Sequence, residues 1–90
     1  MTVEINIPPF FQHLTGNVKV FEAGGSTVGE CLNELVRQYP EIKSKLFTRN
    51  GRLLKGLNVF INGESAYPGE LARPVRDGDK LHITYVMVGG

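Results

Sequence analysis

The sequence predicts an α+β fold in which a mixed sheet of four to five strands wraps one main helix. Two observations predict it. Apolar and polar residues alternate with a period of two near both ends of the chain, as they do in strands with one buried face. Between these segments, one apolar stripe recurs at helical spacing. Because 90 residues leave room for one core, we expect a single domain over residues 1–90, with a flexible C-terminal tail at residues 86–90.

The N-terminal part of the chain predicts two paired strands. Residues 2–7 alternate between polar and apolar side chains, and Pro8-Pro9 ends the alternation because proline cannot donate a ladder hydrogen bond. After a turn-forming cluster at residues 15–17, Val18 and Val20 resume the alternation. We expect these two strands to form a hairpin.

The main helix is predicted to begin after Gly24-Gly25. Thr27 and Glu30 have the spacing of a capping box, in which each side chain satisfies a backbone N–H at the helix start. Pro40 ends the helix, because the residue before a proline is pushed out of helical geometry. The apolar stripe comprises Val28, Cys31, Leu32, Leu35, Val36 and Tyr39. A second, short helix is predicted around Ile42, Leu46 and Phe47.

Two more strands are predicted in the C-terminal half. Alternating residues at 57–61 are closed by the turn signal Asn62-Gly63, and the last alternation covers residues 81–85 after a turn at residues 77–79. Pairing the first and last strands in parallel at the centre closes the sheet around the helix. This is the β-grasp arrangement.

Composition excludes several classes of function. Ten basic residues stand against nine acidic ones, so the net charge of +1 gives no global attraction to nucleic acid or to a membrane. The single cysteine, Cys31, allows neither an internal disulfide nor a four-thiolate cluster, and no metal site is expected. No nucleophile–base set suggests an enzyme. Without an export signal or an apolar stretch of ~20 residues, a cytoplasmic protein is expected.

The chain ends in Gly89-Gly90, directly after a predicted strand. Glycine has no side chain, so such a tail can enter a narrow channel and present its carboxylate to another protein's active site. A terminal carboxylate, with a reference pKa of ~3.5, is ionised at neutral pH and can attack a nucleotide phosphate. A sulfur nucleophile can then displace the nucleotide. A frayed terminus with no function is the alternative.

Several segments together resemble a known family. They are NVFING at residues 58–63, LARPVRDGDKLHI at residues 71–83, TVGE at residues 27–30 with Leu32 and Leu35, and Gly89-Gly90. In this order and spacing they look like the MoaD/ThiS-type ubiquitin-like sulfur carrier proteins, and the length is similar to that of the family's longer members. The resemblance covers nearly the whole chain.

The resemblance implies a β-grasp fold and a carrier that is a co-substrate rather than an enzyme. An E1-like adenylyltransferase using ATP would adenylate the Gly90 carboxylate, with no cofactor bound to the carrier itself. A sulfurtransferase, a desulfurase or sulfide would then supply sulfur to form a thiocarboxylate. A downstream synthase would accept this sulfur for cysteine, thiamin, molybdopterin or another sulfur-containing metabolite. Neither nucleic acid nor a membrane is an implied partner.

Two alternatives use the same chain differently. A ubiquitin-like protein modifier needs the same tail and the same first step, but a lysine amine takes the place of the sulfur nucleophile. An interaction domain that binds without covalent chemistry would tolerate loss of the last two residues.

An aromatic residue is predicted to help the partner dock. Phe60 falls on the opposite strand face from Val59 and Ile61, which would leave it exposed. We hypothesise a docking patch for the activating enzyme, and the alternative is an apolar cluster under the long loop. Its members would be Phe60, Phe10, Val86, Met87 and Val88.

Charge is also unevenly distributed. Residues 43–55 contain five basic residues and no acidic one, whereas the rest of the chain holds five basic and nine acidic residues. Such asymmetry can steer a protein onto an acidic partner, and a solvated loop is the alternative.

Overall fold

The computed structural model describes residues 2–85; Met1 and residues 86–90, including the predicted flexible tail, lie outside the described residues. Five strands form one sheet in the order β2-β1-β5-β3-β4, with the helix α1 (Val28–Gln38) packed against it. The strands are β1 (Val3–Asn6), β2 (Val20–Ala23), β3 (Leu57–Ile61), β4 (Glu64–Ser65) and β5 (Lys80–Tyr85). The predicted α+β, β-grasp architecture is confirmed.

The centre of the sheet is a parallel pair, as predicted. β5 runs parallel to β1, with Ile5 opposite Leu81, and antiparallel to β3, with Val59 opposite Ile83. All four of these side chains are buried. Since β5 is hydrogen-bonded on both sides, its position is held by two neighbouring strands.

The hairpin of β1 and β2 is confirmed, but β2 begins later than the alternation suggested. Val18 belongs to the preceding turn, where its N–H donates to Thr15 O. Within β2, Phe21 lies opposite Ile5 while Val20 remains 44% exposed. The pairing with β1 therefore sets which residues face the core, and the alternation of Val18 and Val20 does not.

Helix α1 begins and ends where the sequence indicates, with half of the expected capping box. Thr27 Oγ1 accepts a hydrogen bond from Glu30 N at 3.1 Å. The Glu30 carboxylate accepts from Ser26 N at 2.9 Å, one residue before the position that a capping box requires. Tyr39, immediately before Pro40, caps the C-terminal end.

A folded-back segment follows α1. A 3-10 turn (Pro40–Ile42) leads into the short helix α2 (Lys43–Leu46), which confirms the predicted second helix. Leu54 N then donates to Leu46 O at 2.9 Å, and Phe47 forms a bridge with Leu53. We call residues 43–55 the basic hairpin.

The core lies between the sheet and α1. It takes apolar side chains from β1, β3, β5 and both helices, and Thr15 is the buried polar residue. Thr15 Oγ1 lies 3.0 Å from Val18 O, and no buried side-chain polar atom lacks a partner among residues 2–85. Two further 3-10 turns, Pro9–Leu14 and Glu70–Ala72, cover the edges of the core. No helix in the described part of the chain is long and apolar enough to cross a membrane.

Candidate functional site

The candidate site lies at the end of the central strand. Tyr85 is the last described residue, and Gly89, Gly90 and the predicted contacts Val86, Met87 and Val88 lie outside the described residues. Tyr85 stands opposite Leu57 in the β3–β5 register and is 48% exposed. The strand that leads to the C-terminal residues therefore ends with an accessible aromatic ring.

Phe10 lies beside this ring. Pro9 begins a 3-10 turn that buries Phe11 and leaves Phe10 46% exposed. The Phe10 ring packs edge-on against Phe11 at 4.6 Å between centroids, and it lies 6.1 Å from the Tyr85 ring. The structure thus brings one predicted docking residue to the end of β5.

An open groove of about 720 Å³ adjoins these two exposed rings. It is lined by Phe10, Phe11, Ser44, Lys45, Leu54 and Tyr85, and we call it the tail-base groove. Sequence reasoning missed Lys45, Leu54 and Tyr85 as parts of one surface. The signal available for Tyr85 was its place as the last residue of the final apolar alternation.

Phe60 lies on the other side of the sheet. It is paired with His82 in the β3–β5 register, whereas Val59 and Ile83 face the core. This confirms that Phe60 points away from the core-facing residues, although it is half-buried. Phe10 contacts the ring of Tyr85, which belongs to the core-facing alternation of β5, so Phe10 and Phe60 do not form one continuous patch. The docking role of each stays a prediction.

The basic hairpin borders the tail-base groove. All five of its cationic side chains are exposed, and Lys45 lines the groove. The backbone contacts between Leu46 and Leu54 place the two arms of the hairpin side by side. Lys45 comes immediately before Leu46 and Lys55 immediately after Leu54, so these two lysines flank one paired position on neighbouring arms.

Cys31 does not offer a reactive thiolate. It is buried on α1, and desolvation raises the pKa of its thiol. Its Sγ lies 3.5 Å from Gly25 O. A thiol with a raised pKa is mostly protonated at neutral pH, which makes it a poor nucleophile. Residues 2–85 contain no group of three or more His, Cys, Asp or Glu side chains that could hold a metal ion.

The Asp79 carboxylate, immediately before β5, holds neighbouring turns together. Asp79 Oδ2 accepts from Arg76 N at 2.8 Å, and Oδ1 accepts from Asn62 Nδ2 at 2.9 Å. The hydrogen bond from the Arg76 backbone, followed by the one from Asn62, lowers the pKa of the Asp79 carboxyl. Asn62 Oδ1 accepts in turn from Lys80 N at 2.9 Å. These contacts join the predicted turns at residues 62–63 and 77–79, at the opposite end of β5 from Tyr85.

Comparison with known proteins gives matches over most or all of the chain. The ThiS family model matches residues 5–90. The sulfur carrier protein CysO of Mycobacterium tuberculosis is 31% identical over 93 residues, which cover 100% of both chains. The small archaeal modifier protein 1 of Haloferax volcanii is 37% identical over 73 residues, covering 81% of this chain and 80% of the relative.

Solved structures give the same fold. A chain in the crystal structure of the Amycolatopsis orientalis BexX/CysO complex matches with a TM-score of 0.87 and 34% identity, covering 98% of this chain and 99% of that one. The crystal structure of the small archaeal modifier protein from Haloferax volcanii matches with a TM-score of 0.85 and 27% identity over 100% of both chains.

Proposed function

Because the chain belongs to the ThiS family, we propose that it is a sulfur carrier whose Gly90 carboxylate is adenylated and then converted to a thiocarboxylate. The observation that supports this most strongly is the match to CysO, a sulfur carrier protein, over the entire length of both chains. The family match also extends to Gly90 itself. In this role the protein is a co-substrate of partner enzymes.

The proposed chemistry needs no catalytic side chain in the carrier. A carboxylate oxygen of Gly90 attacks the α-phosphorus of ATP in the active site of an E1-like adenylyltransferase, and pyrophosphate leaves. Sulfide then attacks the acyl carbon, and AMP leaves. If a sulfurtransferase or a desulfurase supplies the sulfur as a persulfide, the attack gives an acyl disulfide, and a thiol cleaves its S–S bond, releasing the thiocarboxylate and forming a disulfide with the donor cysteine. The product is a thiocarboxylate, which a downstream synthase uses as a sulfur donor in biosynthesis. The absence of a side chain at Gly89 and Gly90 removes steric obstruction around the reacting carbon.

The fold supports this role by fixing the point from which the C-terminal residues extend. β5 pairs with β1 as far as His82 and with β3 as far as Tyr85, so the backbone at Tyr85 is held by its pairing with Leu57. An extended peptide from residue 86 to residue 90 would span on the order of 15 Å. We propose that Val86, Met87 and Val88 contact the activating enzyme along this length, with Phe10 and Phe60 as contacts on the domain.

Removal of Gly90 tests the proposal. Adenylation is measured as pyrophosphate release with ATP and the adenylyltransferase of the native host. We expect the full-length chain to support release and the chain lacking Gly90 to give none, because the attacking carboxylate is displaced by one residue. Thermal melting of both proteins controls for folding. Equal pyrophosphate release by both would argue for a non-covalent interaction domain instead.

A protein modifier is the second candidate, supported by the 37% identity to the small archaeal modifier protein 1. Its first step is the same adenylation, but a lysine amine attacks the acyl carbon and forms an isopeptide bond. A tagged chain expressed in the native host separates the two. Conjugates that survive reduction and disappear when Gly90 is deleted would identify a modifier, whereas a sulfur carrier yields the free thiocarboxylate.

A further inference from the structure

We propose that the basic hairpin and the tail-base groove form one docking surface for the activating enzyme. The enzyme would meet this surface with acidic side chains that surround an inserted apolar side chain. The inference rests on the proposed function. It adds which face of the domain the enzyme binds when it brings Gly90 to the nucleotide, and what kind of side chains the enzyme uses.

Charge is the first argument. The basic hairpin concentrates half of the chain's ten basic residues, and residues 43–55 contain no acidic side chain to neutralise them. The rest of the chain is net acidic, with nine acidic against five basic residues. A local positive surface on an otherwise negative domain orients it toward an acidic partner during diffusion, which raises the rate of productive encounter.

The local fold turns this run of sequence into a surface. Leu54 N donates to Leu46 O at 2.9 Å, Phe47 bridges Leu53, and Thr48 N donates to Arg52 O at 2.7 Å. The hairpin is therefore held by backbone hydrogen bonds rather than being an open loop. Its cationic side chains, which are all exposed, are Lys43, Lys45, Arg49, Arg52 and Lys55.

The apolar groove is the second argument. Phe10 and Tyr85 are each nearly half exposed, and Leu54 adds a half-buried aliphatic side chain. Lys45 lies in the lining of the same groove, so the apolar and the cationic parts are continuous. Aromatic rings in a concave site beside charged residues are typical of the side chains that contribute most of the binding energy in protein interfaces.

Position is the third argument. Tyr85 precedes Gly90 by five residues, which span on the order of 15 Å when extended. An enzyme that holds Gly90 in its nucleotide pocket must therefore approach the groove. At an ionic strength of about 0.1 M the Debye length is about 10 Å, so the basic hairpin acts on acidic side chains of a partner that come within about that distance of it.

The test compares two pairs of substitutions that change the net charge equally. Lys45→Gln with Lys55→Gln removes two cations from the basic hairpin. Lys19→Gln with Arg37→Gln removes two exposed cations from outside it.

Adenylation kinetics are measured with ATP and the native host's activating enzyme. At about 50 mM salt we expect the hairpin pair to raise KM for the carrier by about fivefold with kcat unchanged, because rim charges act on association. The control pair should stay within about twofold of wild type.

Salt and a third variant separate the two parts of the surface. At about 0.5 M salt, screening should bring the KM of the hairpin pair close to that of wild type. Phe10→Ser should raise KM at both salt concentrations, since loss of an apolar contact is not screened. Thermal melting identifies any variant that fails to fold.

The outcomes distinguish this inference from the proposed function. Wild-type turnover with an unchanged KM for the hairpin pair overturns the inference alone. An equal rise in KM for both pairs shows that net charge acts without this surface, and also overturns it. A wild-type chain that the enzyme does not adenylate overturns the proposed function, and the inference with it.

Discussion

At the scale of single residues, the polar side chains of this domain mostly satisfy the backbone at turns. The spacing of Thr27 and Glu30 predicted that both side chains accept hydrogen bonds from backbone N–H groups. It did not predict every donor correctly. Glu30 accepts from Ser26 N because that N–H lies within its reach. Spacing alone does not decide between adjacent donors.

The clearest residue-scale prediction concerns Asp79. Its folded-state pKa is lowered mainly by the hydrogen bond from Arg76 N. A carboxyl with a lowered pKa stabilises the fold at pH values above its unfolded pKa of ~3.9, and this contribution is lost as pH falls through the lower folded value. Asp79→Asn should therefore reduce the free energy of unfolding by about 0.5 kcal/mol at neutral pH, because the lost hydrogen bonds lie near the surface, where solvent screens them.

Denaturant titrations at several pH values check this prediction. The difference between Asp79→Asn and wild type should shrink as pH falls below the folded pKa, where both side chains are neutral. Glu64→Gln, which changes an exposed carboxylate on β4, is the control and should alter stability little at any pH. A deficit in Asp79→Asn that is the same at acidic and neutral pH would contradict the account.

At the scale of elements, the sequence predicted which segments are strands and helices better than it predicted which side chains of a strand face the core. The alternation of Val18 and Val20 correctly indicated a strand, yet Phe21 and Ala23 face the core because β2 takes its register from β1. A strand's core-facing residues depend on its partner, and the partner is not encoded in the local pattern.

Contact between α1 and the 3-10 turn Glu70–Ala72 gives an element-scale prediction at Gly29. A Cβ at this position would lie 2.9 Å from Leu71 O and 3.3 Å from Leu71 Cβ. Helix propensity favours alanine over glycine by about 1 kcal/mol, but overpacking costs about 1–3 kcal/mol. We expect Gly29→Ala to lower the free energy of unfolding by about 1 kcal/mol, as measured by denaturant titration.

Asn33→Ala provides the matched control on the same helix. Asn33 is exposed, so its replacement gains helix propensity without meeting another element. It should raise the free energy of unfolding by about 0.5 kcal/mol. Stabilisation by Gly29→Ala of similar size would show that Leu71 moves away freely and that the close approach is unimportant.

At the scale of the whole molecule, the parallel pairing of β1 and β5 was predictable because it closes the sheet around the helix. The tail-base groove was not predictable. Its lining residues come from three separate parts of the sequence: Phe10, the basic hairpin with Lys45 and Leu54, and Tyr85 at the end of β5. No periodicity links such positions, and only the folded chain brings them together. The separation of Phe10 from Phe60 by the sheet has the same origin.

The whole fold presents one end of its central strand beside a basic, partly apolar surface, and the proposed chemistry takes place beyond that end. Intact mass spectrometry of the chain isolated from its native host tests this most directly. We predict a population heavier than the polypeptide ending at Gly90 by the difference between one sulfur and one oxygen atom, and alkylation of the thiocarboxylate should trap it. A chain that always carries an unmodified carboxylate, under conditions that demand sulfur transfer, would contradict the account.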